Sequence, residues 1–285
     1  MKLTVTKKDE LLKYLIENTD IPRKKLKSYL THGSIYVNDN RITKYNYIVN
    51  CNDCIYIDKD KKSNLDFDII YEDNNIIVVD KPTNLLTIST EKEKEKTLYH
   101  ILREYVKSIN KNNKIFIVHR LDKDTSGVIL FAKNEKIKKE LQDNWNNYVK
   151  LREYTAIIHG IPNKKKDKII NYLNESKTHL VYTSNTGEKA ITNYSVIKEY
   201  NNYSEVLVDI PTGKRNQIRV AFKSINHPIL GDKEYGIKDN ANRLYLHATK
   251  LKLYYPIIKK EIMFESKVPK EFKKVVNNYD TRQKN

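Results

Sequence analysis

The chain is short of the residues that cross-link, bend and anchor polypeptides. Its 285 residues include two cysteines, one tryptophan, seven glycines and seven prolines. Two cysteines build no disulfide framework, which fits a reducing cytoplasm. Cys51 and Cys54 have ligand spacing, yet no second Cys pair or His cluster completes a tetrahedral set, so no metal is expected. No apolar run reaches the ~18 residues of a membrane span. The first ten residues also lack the apolar stretch of a secretory signal. The expectation is a cytoplasmic chain with no membrane partner and, by default, a monomer.

Scarcity makes the surviving glycines informative, because glycine is kept where backbone needs positive φ or close approach. Gly33, Gly127, Gly160, Gly187, Gly213, Gly231 and Gly236 all fall in segments singled out below. Charge is unbalanced: 53 Lys and Arg against 36 Asp and Glu give +17. Such an excess suits a polyanion, since each neutralised phosphate releases counterions. The abundance of Lys, Asn, Ile and Tyr also matches AT-rich coding, so motifs must identify the partner.

Residues 1–60 read as a small α/β module. Leu11, Leu12, Tyr14 and Leu15 have helical spacing, and a second helix over Arg23 to Thr31 sets Lys24, Lys25 and Lys27 opposite Leu26, Tyr29 and Leu30. His32-Gly33 ends it as a C-cap, and short strands follow at 34–37, 41–43 and 54–57. Lys59 to Asn64 is a charged connector. Residues 66–275 alternate short β runs with a few helices, one capped by Thr97 and one over 134–149. That pattern indicates an α+β domain with a mixed, largely antiparallel sheet. The tail from Tyr279 is polar and expected to fray.

The densest chemistry is His119-Arg-Leu-Asp-Lys-Asp-Thr-Ser-Gly127, between the apolar runs 115–118 and 128–132. It reads as strand, polar turn, strand, holding Asp122 at a strand end. Further along stand Arg152-Glu-Tyr-Thr-Ala156, Thr212-Gly-Lys-Arg-Asn-Gln-Ile-Arg-Val220 on an expected strand, His227-Pro-Ile-Leu-Gly-Asp232, and Arg243-Leu-Tyr-Leu-His-Ala248. A paired-carboxylate role for Asp122 and Asp124 finds no supporting cleft residues.

The first string resembles the H-R-L-D-x-x-T-S-G signature of the RluA-type pseudouridine synthases, and the later segments resemble that family's motifs in the same order. Residues 1–60 are similar to the S-four RNA-binding domain. The resemblance implies an enzyme that isomerises uridine to pseudouridine in structured RNA by flipping the base, with no cofactor. It makes Asp122 the nucleophile, Tyr154 a partner that stacks on the base and assists proton removal at ring carbon 5, and Arg219 the ion-pair partner that keeps Asp122 ionised. Arg120 fills the base stack, Leu246 lines the uracil pocket, and Lys24, Lys25 and Lys27 meet RNA phosphates. His247 is expected to be structural.

Ribosomal RNA of the large subunit is favoured over transfer RNA, because an S-four domain accompanies ribosomal enzymes within the family. The competing reading is a catalytically inactive RNA-binding or ribosome-assembly factor. Asn84 and Asn226 stand where the pattern has glycine, and both residues tolerate left-handed backbone. Asn216 and Ala221 replace histidines, which puts RNA contacts in doubt.

Overall fold

Helical and strand periodicities in this chain meet in shared cores. The computed structural model describes residues 1–31, 33–58, 65–89 and 97–282. Its contacts cluster into one unit of Met1–Asp66, Glu72–Asn74 and Ile101–Ile115, and a second of Phe67–Tyr71, Asn75–His100 and Phe116–Asn285. His32 and the connector at 59–64 lie outside the described residues.

The first part of the chain runs β1 (Lys2–Thr4), β2 (Asp9–Glu10), α1 (Leu11–Asn18), α2 (Arg23–Thr31), β3 (Ile35–Val37), β4 (Asn40–Arg41), β5 (Ile48–Val49) and β6 (Cys54–Ile57). Four strands form a sheet in the order β1-β6-β3-β4. Leu11, Leu15, Leu26 and Leu30 fill the core beneath it, as their spacing predicts. After α2 the Gly33 N–H returns to the Leu30 carbonyl at 3.0 Å with φ +63°, closing the helix. Lys24, Lys25 and Lys27 are exposed on the opposite face, with Lys25 over the Tyr29 ring. The strands β1, β2 and β5 are too short to show a period, and the sequence reading misses them.

The chain continues through β7 (Ile69–Glu72), β8 (Ile76–Lys81), α3 (Leu98–Ile109), β9 (Phe116–Ile117), β10 (Ser126–Ala132), α4 (Glu135–Asp143), α5 (Trp145–Tyr148) and β11 (Val149–His159). Next come β12 (Lys166–Glu175), β13 (Val181–Thr183), β14 (Glu188–Glu199), β15 (Tyr203–Asp209), α6 (Gln217–Ser224), β16 (Leu246–Tyr255), β17 (Lys260–Glu265) and α7 (Lys270–Arg282). The strands form one eleven-stranded sheet, β13-β12-β14-β15-β11-β16-β10-β8-β7, with β17 beside β16 and β9 beside β10. The β10–β16 pair is parallel, matching Ser126 with His247 and Gly127 with Ala248. A Cβ on Gly127, at φ +114°, would stand 2.2 Å from the Ala248 carbonyl oxygen, so only glycine admits this pairing.

One sheet face packs on α6, where Ile218, Ala221 and Phe222 meet Ala156, Val206 and Val208. Phe272 and Val276 of α7 join Ile157, Leu230 and Tyr245 in another core. Three expectations need correction. The helix expected over 134–149 breaks at Asn144, whose side chain bonds back to the Glu140 carbonyl at 3.1 Å, and Val149 already begins a strand. The segment carrying Arg219 is helical rather than extended. Ile218, Val220 and Phe222 mimic strand alternation, but Ala221 between them is fully buried, which a half-exposed strand would not allow. Residues 279–282 of the tail expected to fray continue α7, and 283–285 lie outside the described residues. Among the described residues no helix is long and apolar enough to cross a membrane.

Candidate active site

The turn between β9 and β10 is held by side chains from the segment after β8. Thr87 Oγ1 donates to the Leu121 carbonyl at 2.7 Å, and Thr83 Oγ1 to that of Asp124 at 2.8 Å. Between them the fully buried Lys81 gives its ammonium to the carbonyls of Lys123, Leu85 and Pro82 at 2.9, 2.8 and 3.0 Å. Burial pulls its pKa down to about 7, while three acceptors match the three protons of the charged form. Asn84 takes φ +61° and Asn226 φ +62°, so both keep the left-handed turns that glycine would make.

Asp122 is thereby fixed, half-buried, in a cavity of about 560 Å³ that Arg120, Tyr154, Arg219 and Leu246 also line. Loss of water pushes its pKa up, and the charges of Arg219, Arg120, Arg215 and Lys81 pull it back down. Burial wins, so the carboxyl sits above its ordinary range. Tyr154 comes from β11, and burial raises its pKa to about 12. At neutral pH it is therefore a neutral phenol. Leu246 opens β16 and is 3% exposed, an apolar wall beside the carboxylate. Arg120 is exposed at the mouth.

Arg219 does not pair with Asp122. Its Nε and Nη2 grip the two carboxylate oxygens of buried Asp232 at 2.7 and 2.6 Å, and its Nη1 donates to Asn216 at 3.1 Å. The guanidinium also lies over the Tyr235 ring, 4.7 Å from its centroid. The reason is geometric: α6 directs Arg219 back across the helix start toward Asp232, so Asp122 receives its charge without a bond. Nor does that charge suffice to keep Asp122 in the ordinary carboxylate range. Asn216, a departure that put RNA contacts in doubt, is buried at φ +51° and bridges Arg219 to the Tyr235 hydroxyl.

His247 is structural. Burial and then the charge of Arg243 lower its pKa to about 4. Its Nδ1 meets Ser126 Oγ at 2.8 Å and its Nε2 meets Ser266 Oγ at 3.0 Å, while Ser266 donates to Asp80 at 2.6 Å and Arg243 donates to Ser126 at 2.5 Å. These partners fix one direction of donation, from Arg243 to Asp80, and tie the aspartate turn to β16. Sequence reasoning missed Lys81, Asp232, Trp145 and Arg152 at this site. The first two lie in the quoted Lys-Pro and Gly-Asp strings, and Arg152 begins the quoted tyrosine segment; Trp145 carried no signal beyond helical spacing. Cys51 and Cys54 are exposed free thiols, and the described residues hold no cluster of metal-ligating type.

The chain is similar to known proteins in sequence and in fold. The family model described as RNA pseudouridylate synthase matches residues 75–224. The RNA pseudouridine synthase YhcT of Bacillus subtilis is 30% identical over 266 residues, covering 89% of this chain and 88% of its own. The ribosomal large subunit pseudouridine synthase D of Vibrio cholerae is 30% identical over 300 residues, covering 94% and 92%. Among solved structures, human RNA Pseudouridylate Synthase Domain Containing 4 has a similar fold, with a TM-score of 0.60 at 22% identity over 72% of this chain and 89% of that one.

Proposed function

The chain belongs to the RNA pseudouridylate synthase family and isomerises uridine in RNA; on that premise we propose that Asp122 is the nucleophile and that large-subunit ribosomal RNA is the substrate. The observation that carries the chemistry is the half-buried Asp122 among four cations and beside Tyr154 and Leu246. Isomerisation breaks the bond from sugar carbon 1 to ring nitrogen 1 and forms one from that sugar carbon to ring carbon 5. The proton on carbon 5 leaves and nitrogen 1 gains one, so nothing is added or lost overall.

Asp122 attacks the sugar or the ring as a carboxylate, and the cations around it hold that charge in a drying cavity. Tyr154 stacks on the flipped uracil and offers its hydroxyl beside ring carbon 5 as the proton departs. Leu246 excludes water from the rotating base. Arg120, exposed at the rim, fills the gap left in the base stack. Arg219 serves through its field while Asp232 holds it in place.

The ribosomal assignment draws on the names of the relatives from Vibrio cholerae, Yersinia pestis and Borreliella burgdorferi, each a ribosomal large subunit pseudouridine synthase D. Residues 1–60 then act as an S-four-type RNA-binding module ahead of a catalytic domain over 66–275, with Lys24, Lys25 and Lys27 on phosphates. The test is carbodiimide primer-extension mapping of RNA from cells with and without the gene. Loss of discrete stops in large-subunit ribosomal RNA is the expected result. Loss only in transfer RNA overturns the substrate. Unchanged maps, with no turnover of naked transcripts, leave an RNA-binding protein instead of an enzyme.

A further inference from the structure

Trp145 is the single tryptophan of the chain, and it stands half-buried in the wall of the Asp122 cavity. Its ring tilts over His119, with centroids 4.8 Å apart at 32°. His119 spends its Nε2 lone pair on the Leu130 N–H at 3.0 Å, so the ring under the tryptophan is fixed and uncharged. One side of Trp145 packs on the β10 core, and the rest faces the cavity.

Arg152 lines the same wall. Its Nη2 donates to the Pro211 carbonyl at 2.7 Å, and among the described residues it makes no ion pair within 4.0 Å. The neighbouring cations Lys214 and Arg215 are instead matched by Glu188 and Glu175, each at 2.6 Å. Partial burial of a guanidinium that only the more distant charge of Asp209 offsets carries a desolvation cost that a bound anion would reduce. The charge of Arg152 reaches His119, so tryptophan, histidine and arginine form one neighbourhood. The cavity of about 560 Å³ also exceeds the ~300 Å³ at the lower end of small-ligand pockets, leaving room beyond one base.

We infer that Trp145 and Arg152 form a second nucleotide subsite, in which Trp145 stacks on the base adjoining the target uridine and Arg152 takes the phosphate between them. A stacking platform with one cation suits unstacked single-stranded RNA and reads no base edge. The subsite rests on the reading of this cavity as the uridine site. It adds a neighbour that must also leave the helical stack, so preferred targets are uridines in loops.

The single tryptophan makes the test direct. The full-length Asp122→Asn chain is titrated with pentauridylate and, separately, with the nucleoside uridine, while Trp145 emission is followed. Pentauridylate should quench it saturably and uridine should not. In the otherwise unaltered chain Trp145→Ala should raise KM for RNA by about 5- to 100-fold with kcat changed far less, and Trp145→Phe should restore it. Arg152→Gln should flatten the logarithmic salt dependence of pentauridylate binding by about 0.7. Emission unmoved at saturating pentauridylate, or equal damage from Ala and Phe, overturns the subsite. Emission reports binding alone, so a failed turnover assay would sink the isomerase reading without deciding this one.

Discussion

Arg219 and Asp232 form a buried, two-pronged ion pair, 2.7 and 2.6 Å long, that holds the guanidinium within electrostatic reach of Asp122 but not in contact with it. Arg219 is the charge that acts most strongly on Asp122, yet Asp122 takes no part in fixing it. Removing the charge and removing the brace should therefore have different consequences.

Arg219→Gln takes away the strongest attraction that opposes burial of Asp122. Asp122 works as a carboxylate and its pKa is already raised, so activity is lost as pH falls through that value. The acid limb of kcat/KM should move to higher pH in Arg219→Gln. In Asp232→Asn the cation remains and the limb should not rise, although breaking the buried pair costs about 3–5 kcal/mol of stability. A limb unmoved by Arg219→Gln would show that the two groups are uncoupled.

Asp122→Asn should cut turnover by at least ~10³-fold while leaving RNA affinity nearly intact. It should also raise Tm at neutral pH. A carboxyl whose folded pKa is raised binds more protons folded than unfolded, so its ionisation above that pKa lowers stability, and asparagine removes the cost. Substantial residual turnover defeats the nucleophile assignment, and an unchanged Tm defeats the electrostatic one.

Lys81→Met leaves the carbonyls of Lys123, Leu85 and Pro82 without their donor. Unfolding in denaturant should show a loss of at least ~3 kcal/mol, about one for each orphaned acceptor. Because Lys123 adjoins Asp122, kcat should fall more than KM rises. A stable, fully active variant would mean that the turn holds itself.

His119 and His247 should stay neutral far below the ordinary histidine pKa, at which the unfolded chain takes up protons. Their pKa values are lowered to about 3 and about 4, so stability from both is intact above the ordinary histidine value of 6.5 and falls as pH drops from there toward those lowered values. Proton NMR should show these two imidazoles unshifted between pH 7 and pH 5, roughly the span of an ordinary histidine titration. His119→Gln should make the acid loss of stability shallower by about 1.4 kcal/mol per pH unit. Titration of either ring within that span would refute the buried geometry.

Gly127→Ala should disrupt the site from a distance of five residues, since the new Cβ would stand 2.2 Å from the Ala248 carbonyl oxygen. Strand β10 cannot then keep register with β16, and Leu246 moves away from Asp122. Soluble protein with undiminished turnover would contradict the parallel pairing.

Much of this site is legible in the order of residues, because its geometry is local. Apolar runs on either side of a polar string make two strands, but Asp122 lies in the loop between Ile117 and Ser126 rather than at a strand end. Asparagine at positions 84 and 226 keeps φ positive through its own tolerance of that conformation. The alternation through Val206 and Val208 sets one strand face into the core, and the spacing of Leu26 and Leu30 does the same for a helix.

What the tertiary structure decided depends on contacts between distant segments. The partner of Arg219 follows from how α6 packs over β12, β13 and β14, which alternating Ile218, Val220 and Phe222 disguise as a strand. Trp145 opens the separate short helix α5 and lines the cavity wall, because Asn144 ends α4 one residue earlier. The raised pKa of Asp122 comes from lost water against four cations from three separate segments. Sequence specifies which groups are present and how the nearest ones turn; solvent exclusion and long-range packing set how those groups are charged and which of them meet.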